Sequence, residues 1–346
     1  MKTSAKELSI AGVRIKPGER KVIELIEPSL YTQTPMNIPV HVIHGQKKGP
    51  CLFITAAIHG DEINGTEIVR LLLNHASLKK IHGTLIAIPI TNIYGLIGLS
   101  RYLPDRRDLN RSFPGSKAGS LASRLAYLLI NEIIVQCTHG IDLHTGNIHV
   151  ENFPHVRTNL HIFSAKKMAK SFGAPLMLDA KLRDGSLRQA AAELGIPVLV
   201  YEGGEALHFN EMAIQMGLKG VLQVMHALKM IVFATYKMTK QRAAKISYHS
   251  GWVRAPASGI IHSLKPLGSY VKEGDVLCII ADPVAKKDEY KFKSPVSGMI
   301  IGKNTLPLVN EGDALYHVAK IKNGQRLNSE FKQLQDELII NPITFF

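Results

Sequence analysis

The sequence predicts an α/β domain with a mostly parallel, mixed sheet flanked by helices, followed by a small all-β domain. Two observations lead to this prediction. Between residues 47 and 236, short apolar runs typical of buried strands alternate with segments whose apolar residues recur at helical spacing. Between residues 251 and 321, two turn motifs each occur twice at nearly equal offset, which indicates a duplicated β unit.

The elements of the α/β domain follow from these patterns in chain order. A continuous apolar run at residues 51–58 indicates a buried strand, and apolar side chains three or four positions apart predict a helix at 64–76. The same criteria predict strands at 85–90, 141–143 and 197–201 and helices at 120–136 and 187–194. Residues 1–46 are predicted to be a β-rich segment that packs on this domain, with a strand at 40–43.

The C-terminal part divides into a linker, a duplicated unit and a tail. The polar, basic stretch 237–250 is predicted to be the linker. Within 251–321, residues 255–261 recur as 294–300, and residues 271–277 recur as 309–315. Two such halves would close a small flattened barrel without free strand edges. Residues 322–346 form a polar tail with an apolar end.

Composition indicates a globular protein. Hydrophobic residues make up 45% of the 346 positions and charged residues 20%, and no apolar run is long enough to span a bilayer. The first residues lack the apolar centre of a secretory signal. Three scattered cysteines, Cys51, Cys137 and Cys278, form no disulfide framework. A cytoplasmic protein with reduced thiols, and without a membrane partner, is therefore expected.

The formal net charge of +14 allows several interpretations. Lysine and arginine are spread along the chain, whereas nucleic-acid binders usually concentrate them in one patch, so a nucleic-acid partner is not expected. The positive charge either steers an anionic small substrate towards the protein or has no functional meaning, and both interpretations stay open.

A candidate metal site follows the first predicted strand. His59 and Glu62 lie three residues apart on the turn between that strand and the next helix, so both can face one centre. Catalytic zinc takes three protein ligands of imidazole or carboxylate type and keeps one position open. His144, at the end of another strand, is the third candidate, and Asp142 on the same strand face is expected to orient its imidazole. Ligands bind at such strand ends in open α/β sheets.

Other polar residues near the predicted strand ends suit a carboxylate-bearing substrate. The Arg111 guanidinium and the Asn110 amide together suit a planar carboxylate. Three arginines upstream are candidates for polarising a scissile carbonyl, and the residues alone do not choose among Arg101, Arg106 and Arg107. Glu202 follows the strand at 197–201, where a carboxylate beside a metal can accept and return a proton.

Four motifs in this order resemble the succinylglutamate desuccinylase/aspartoacylase family, a branch of the zinc carboxypeptidase-like hydrolases. They are His59-x-x-Glu62, Asp108-Leu-Asn-Arg111, Asp142-Leu-His144 and Glu202-x-Gly204. The resemblance implies a zinc-carboxypeptidase-like fold, one Zn²⁺ per chain on His59, Glu62 and His144, carboxylate binding by Asn110 and Arg111, and Glu202 as general base and acid. The family's carbonyl-polarising arginine stands a short way before the Asn-Arg pair. Leu103 and Pro104 fall near that place here, so Arg101 is the expected substitute.

The C-terminal duplication resembles the biotinyl/lipoyl barrel-sandwich fold. Carrier domains of that kind present a modified lysine between their halves, and Lys286 and Lys287 stand there. Neither has the Met-Lys-Met or Asp-Lys setting of such carriers, so cofactor attachment is not expected. The domain is instead expected to act as a lid or as an oligomerisation module. In the second role it would make the protein a homo-oligomer.

Three functions follow from these expectations. The first is hydrolysis of an N-acyl amino acid, with the small molecule as partner. The second is a carboxypeptidase that removes a C-terminal, perhaps acidic, residue from a short peptide, because a carboxylate beside an amide is common to both substrates. The third is a non-enzymatic carrier or scaffold that uses the barrel. A barrel that caps the site would exclude peptides, and an acylated lysine would favour the carrier.

Overall fold

The chain was analysed in a computed structural model that describes residues 5–26, 36–232, 244–285 and 289–321. Three predicted features lie wholly or partly outside these residues. They are the hairpin lysines Lys286 and Lys287, the tail 322–346 and the part of the linker up to residue 243.

The N-terminal segment and the α/β part alternate strands and helices as expected. In chain order the elements are β1 (Leu8–Ile10), β2 (Val13–Ile15), β3 (Arg20–Ile26), β4 (Asn37–His44), β5 (Lys47–Ala56), α1 (Asn64–Leu73), β6 (His82–Ile88), α2 (Ile93–Ile97), α3 (Leu121–Glu132), β7 (His139–His144), β8 (Val150–Thr158), α4 (Phe163–Phe172), β9 (Leu176–Asp179), α5 (Leu187–Glu193), β10 (Val198–Gly204) and α6 (Glu211–Ala227). The strands that follow α6 are β11 (Lys245–Ser247), β12 (Ser250–Arg254), β13 (Gly259–Ser263), β14 (Tyr270–Val271), β15 (Val276–Ala281), β16 (Tyr290–Lys293), β17 (Gly298–Asn304), β18 (Leu308–Val309) and β19 (Ala314–Ala319).

One large mixed sheet organises the molecule. Its central strands run parallel in the order β6-β5-β7-β10, and β4 and β8 join the two sides of this group antiparallel. The prediction of a mixed α/β sheet flanked by helices is therefore confirmed, with the parallel pairing concentrated at the centre. The candidate site residues lie at the carboxyl ends of β5, β7 and β10, which are at the same edge of the sheet.

The sheet is covered on both faces. Leu52 and Leu143 point to the face that packs against α1, α4 and α6, whereas Phe53 and Val198 point to the face that packs against α3 and α5. Because side chains alternate along a strand, the neighbour of Leu143 on each side, Asp142 or His144, points to the second face. The side chains of Asp142 and His144 therefore lie on the side of the sheet that faces α3 and α5.

Two glycines allow the close packing that brings the first motif into place. A Cβ on Gly65 would lie 2.9 Å from Cβ of Ala56 and of Leu143, so α1 packs directly on the sheet. A Cβ on Gly60 would lie 1.9 Å from the carbonyl carbon of Gly95, so the turn after β5 contacts the backbone of α2. Side chains at either position would push the turn that carries His59 and Glu62 away from its neighbours.

The C-terminal strands form two antiparallel layers around a common core. Strands β12, β19, β17 and β14 make one layer, and β16, β15, β13 and β18 make the other. Equivalent positions of the duplicated motifs share this core: it contains Leu277, Leu315 and Ile300, and Ile261 packs against it. The first layer belongs to the large sheet, because β17 pairs antiparallel with β8.

An apolar contact reinforces this junction. Phe153 of β8 and Leu176 of β9 pack with Met299, Ile301 and Ala319 of the C-terminal strands. Within the described part of the predicted linker, residues 244–250, residues 245–247 form β11, which pairs with β9. The domain boundaries and the separate barrel-sandwich domain stay predictions. None of the helices in the described ranges is long and apolar enough to cross a membrane.

Candidate metal centre and catalytic cleft

Glu62 lies between the imidazoles of His59 and His144. Its Oε1 is 2.7 Å from His59 Nδ1, and its Oε2 is 2.7 Å from His144 Nδ1. The ring centroids are 5.0 Å apart, and all three side chains are buried. One ligand atom from each residue can be chosen so that all lie within 4.8 Å of one another. These three residues are therefore able to hold one metal ion.

Each of the two imidazoles contacts a further carboxylate through its Nε2 atom. His144 Nε2 is 2.8 Å from Asp142 Oδ2, and Thr55 Oγ1 donates to the other oxygen of Asp142 over 2.8 Å. His59 Nε2 is 3.2 Å from Asp108 Oδ1. A carboxylate that accepts Nε2–H leaves Nδ1 free to bind a metal and makes it more basic. The donor set thus fits a divalent cation that accepts nitrogen and carboxylate oxygen, such as zinc.

The electrostatics of the cluster are those of strongly coupled, buried opposite charges. Burial opposes ionisation of His144, but Asp142 and Glu62 outweigh it and raise its pKa well above the ordinary value. Burial likewise opposes the charged form of His59, and Glu62 and Asp108 raise its pKa. The pKa of Glu62 is lowered because the two imidazoles outweigh its burial. When both imidazoles are neutral, as metal ligands are, the carboxylates of Glu62, Asp108 and Asp142 outnumber the one positive charge of Arg101, which favours a bound cation.

Arg101 reaches this cluster, whereas Arg106 and Arg107 are exposed. Its Nη1 lies 3.2 Å from His59 Nδ1 and donates to Glu62 Oε1 over 3.3 Å. Its Nε and Nη2 donate to Asp108 Oδ2 over 3.1 and 2.8 Å. Of the three candidate arginines, Arg101 is therefore the one that contacts the group of His59, Glu62 and His144.

Asn110 and Arg111 lie at the same rim of the sheet. The Asn110 side-chain oxygen accepts from Leu187 N at the start of α5 over 2.9 Å, so the amide nitrogen is the part left for a ligand. Arg111 donates to the Asn110 carbonyl, and its guanidinium is exposed. Partial desolvation lowers the pKa of Arg111, Asp108 opposes this, and the positive charges of Arg183, Arg101 and Arg157 lower it further. Arg101, Arg157 and Arg183 therefore contribute positive charge near Arg111.

Glu202 lies on the same sheet face as His144. The two residues are register partners on the parallel strands β10 and β7, which puts their side chains side by side. Asn152 Nδ2 donates to Glu202 Oε2 over 3.0 Å, and Arg157 Nη1 donates to Oε1 over 3.3 Å. Burial raises the pKa of Glu202, although His144 and Arg157 oppose that shift.

Several residues of the cleft carry no signal in the sequence. Asn152 and Arg157 lie on β8, a strand that the sequence patterns do not predict. Asn147, which accepts from Arg101 Nη1 over 2.9 Å, stands outside the quoted motifs as well. No fixed spacing links these residues to the motifs, so only the paired strands bring them together.

Comparison with known proteins agrees with this fold. The profile of the succinylglutamate desuccinylase/aspartoacylase catalytic domain matches residues 48–228, which is more than half of the chain. The N-alpha-acetyl-L-2,4-diaminobutyric acid deacetylase of Halomonas elongata is 23% identical over 308 residues, which cover 82% of this chain and 86% of that protein.

Solved structures share the fold at similar identity. A succinylglutamate desuccinylase/aspartoacylase from Rhodobacter sphaeroides superimposes with a TM-score of 0.77 at 22% identity, covering 88% of this chain and 96% of its own. The product-bound ectoine utilization protein EutE (DoeB) from Ruegeria pomeroyi gives a TM-score of 0.77 at 21% identity, covering 87% and 94%. Because the catalytic-domain profile matches more than half of the chain, this chain belongs to the succinylglutamate desuccinylase/aspartoacylase family.

Proposed function

We propose that this protein is a zinc-dependent hydrolase that removes the acyl group from an N-acyl amino acid. One zinc ion per chain would be held by His59, Glu62 and His144. The observation that carries the proposal is the position of the Glu62 carboxylate, 2.7 Å from Nδ1 of each histidine. Because carboxylates contact both Nε2 atoms, each imidazole is oriented as a metal ligand would be. The printed name of the Halomonas elongata relative, a deacetylase of an N-acetyl amino acid, supports deacylation.

Glu202 is assigned the proton transfers. When bound, zinc would lower the pKa of a coordinated water to about 7 and polarise the acyl carbonyl. A buried carboxylate with a raised pKa is able both to take the proton of the attacking water and to return it to the leaving amine. The hydrogen bonds from Asn152 and Arg157 hold this carboxylate in one orientation.

The arginines are assigned to substrate charge. Arg101 would stabilise the oxyanion that forms on the acyl carbonyl oxygen, and its contacts with two of the proposed ligands support this role. Arg111 would bind the substrate carboxylate, helped by the Asn110 amide nitrogen. Arg157 and Arg183 add positive charge to the same cleft, which favours a substrate with a second anionic group, on the amino acid or on the acyl chain.

The test is a substrate panel with the purified zinc form. N-acetyl and N-succinyl derivatives of acidic, neutral and basic amino acids are compared with glutamyl dipeptides, and amine release is measured. We expect hydrolysis of N-acyl amino acids, fastest for those with two carboxylates, and about one zinc per chain. Faster cleavage of the dipeptides would favour the carboxypeptidase. No hydrolysis of any substrate by zinc-loaded protein would favour a carrier or scaffold.

A matched pair of variants tests the role of Glu202. We expect Glu202→Gln to retain zinc and lose turnover by about two to four orders of magnitude. Glu211→Gln changes an exposed carboxylate at the start of α6 and serves as the control. Full activity of Glu202→Gln would refute the assignment of the general base.

The finer expectations about the C-terminal part remain proposals. We propose that residues 251–321 form a barrel-sandwich unit, which the two layers of paired strands and their shared core support. Attachment of biotin or lipoate at Lys286 or Lys287 is not proposed. A cytoplasmic location and a homo-oligomeric state also remain proposals.

A further inference from the structure

Two cysteines far apart in sequence lie in contact at the end of the sheet opposite the metal centre. Cys51 stands on β5, and Cys137 directly precedes β7. Their Sγ atoms are 3.7 Å apart although 86 positions separate the residues. Both are free thiols, as is Cys278 in the C-terminal strands.

The backbone holds this pair close. Strands β5 and β7 are parallel neighbours, with Leu52 opposite His139. Cys51 N donates to Thr138 Oγ1 over 3.0 Å, and Thr138 Oγ1 and N donate to the Cys51 carbonyl over 3.0 and 2.8 Å. Neighbouring strands are separated by a distance that a disulfide can bridge. The two Sγ atoms, 3.7 Å apart, lie about 1.7 Å beyond the S–S bond length of about 2.0 Å, so a small approach would allow the bond to form.

We propose that Cys51 and Cys137 are a redox-active thiol pair that forms an intramolecular disulfide with a disulfide oxidant of the glutathione type. The thiolate of Cys51 attacks glutathione disulfide, which gives a mixed disulfide and releases one glutathione thiolate. Cys137, as thiolate, then attacks the Cys51 sulfur and releases the second glutathione. The two thiols lose two electrons and two protons, and one glutathione disulfide becomes two molecules of glutathione.

The order of the two steps follows from exposure. Cys51 is partly exposed, whereas Cys137 is buried and its Sγ donates to the Ile133 carbonyl over 3.3 Å. A dissolved oxidant therefore meets Cys51 first. The hydrogen bond from Cys51 and burial both raise the pKa of the Cys137 thiol, so its attack is expected to become faster as the pH rises.

The disulfide would join the two strands that carry the metal ligands. His59 and Glu62 follow the far end of β5, and His144 ends β7. The closed loop contains the first two ligands together with Arg101 and Arg111. Closing a loop of this length restricts the unfolded chain, so the oxidised protein should melt about 5 °C higher than the reduced protein.

The test is titration of the full-length protein with mixtures of reduced and oxidised glutathione. Free thiols are alkylated under denaturing conditions, and peptides are mapped by mass spectrometry. We expect a peptide pair joined through Cys51 and Cys137, reversed by dithiothreitol, and a higher melting temperature in the oxidised form. Unchanged free-thiol content under the most oxidising mixture would overturn the proposal, as would a disulfide that involves Cys278.

Single variants separate the two steps. Cys137→Ala leaves Cys51 without its partner, so a stable glutathione adduct should accumulate on Cys51. Cys278→Ser changes a buried thiol of the C-terminal strands and should leave the disulfide and its melting shift intact. An equally stable adduct on Cys51 in the unaltered protein would show that Cys137 does not act, and would also overturn the proposal. These readouts need no substrate, so they are independent of the proposed hydrolase activity.

Discussion

Asn152 joins Glu202 to the C-terminal strands. Its side chain donates to Glu202 Oε2 over 3.0 Å, and its backbone is register partner to Gly204 on one side and to Gly302 on the other. The orientation of the proposed general base thus depends on a strand about 100 positions further along the chain. The C-terminal strands therefore pair with the strand whose Asn152 contacts the proposed general base.

Asn152→Ala removes the hydrogen bond to Glu202 without touching the metal ligands. We expect kcat to fall about 10-fold or more, with a smaller change in KM and with zinc retained. The reason is that the Glu202 carboxylate loses one of the two side-chain hydrogen bonds, from Asn152 and Arg157, that orient it. Steady-state kinetics and metal analysis measure this. Asn131→Ala, on the exposed face of α3, is the control. A variant with unchanged kcat would show that Asn152 has no positioning role.

Gly302→Val tests the junction between β17 and β8. A Cβ at this position would lie 3.0 Å from Cβ of His317, 3.1 Å from Asn152 Oδ1 and 3.3 Å from the Trp252 ring, so added bulk must displace them. We expect a lower melting temperature and lower kcat/KM together, since overpacking typically costs about 1–3 kcal/mol. Gly251→Val is the matched control, because a Cβ there meets nothing within 4 Å. Equal behaviour of the two variants would contradict the coupling.

Asp142→Asn tests the support of the proposed zinc ligand His144. The amide keeps the size of the side chain but removes the charge that favours Nε2–H as donor, over a distance of 2.8 Å. We expect zinc affinity to fall about 10- to 100-fold, measured by competition with a chelating dye. Asp282→Asn, in the C-terminal hairpin, should not change it. Unaltered affinity in the first variant would argue against the ligand set.

His155 predicts an acid-sensitive component of stability. Burial is the main cause that lowers its pKa to about 3, and Arg157 and His317 add to it, while the Phe153 carbonyl opposes it. The unfolded chain, with an ordinary pKa of about 6.5, binds a proton more readily than the folded protein. The contribution is therefore complete above about pH 6.5. It is lost as the pH falls towards 3, at up to about 1.4 kcal/mol per pH unit.

Chemical denaturation between pH 7 and pH 4.5 measures this effect. We expect the stability of His155→Gln to fall less steeply with acidification than that of the unaltered protein. His262→Gln, at an exposed position, should keep the original slope. Parallel curves for the unaltered protein and His155→Gln would show that this imidazole does not contribute.

The ligand motifs could be predicted because each consists of residues close together in sequence at the end of a strand. His59 and Glu62 share one turn, and Asp142 and His144 share one strand face, so spacing alone indicates a common direction. The apolar runs between these motifs likewise indicate an α/β sheet, because buried strands and amphipathic helices leave local patterns. The order of the motifs was enough to suggest the family, which the profile match confirms.

Contacts between distant strands were decided only by the tertiary structure. Asp108 behind His59, Asn152 beside Glu202 and the contact of Cys51 with Cys137 depend on which strands pair and in which register. Register depends on the packing of whole sheet faces, and no local pattern encodes it. The sequence by itself therefore indicated several elements of the α/β part and the candidate site residues. Strand pairing decided which side chains orient them, because those contacts form only when separate parts of the chain meet.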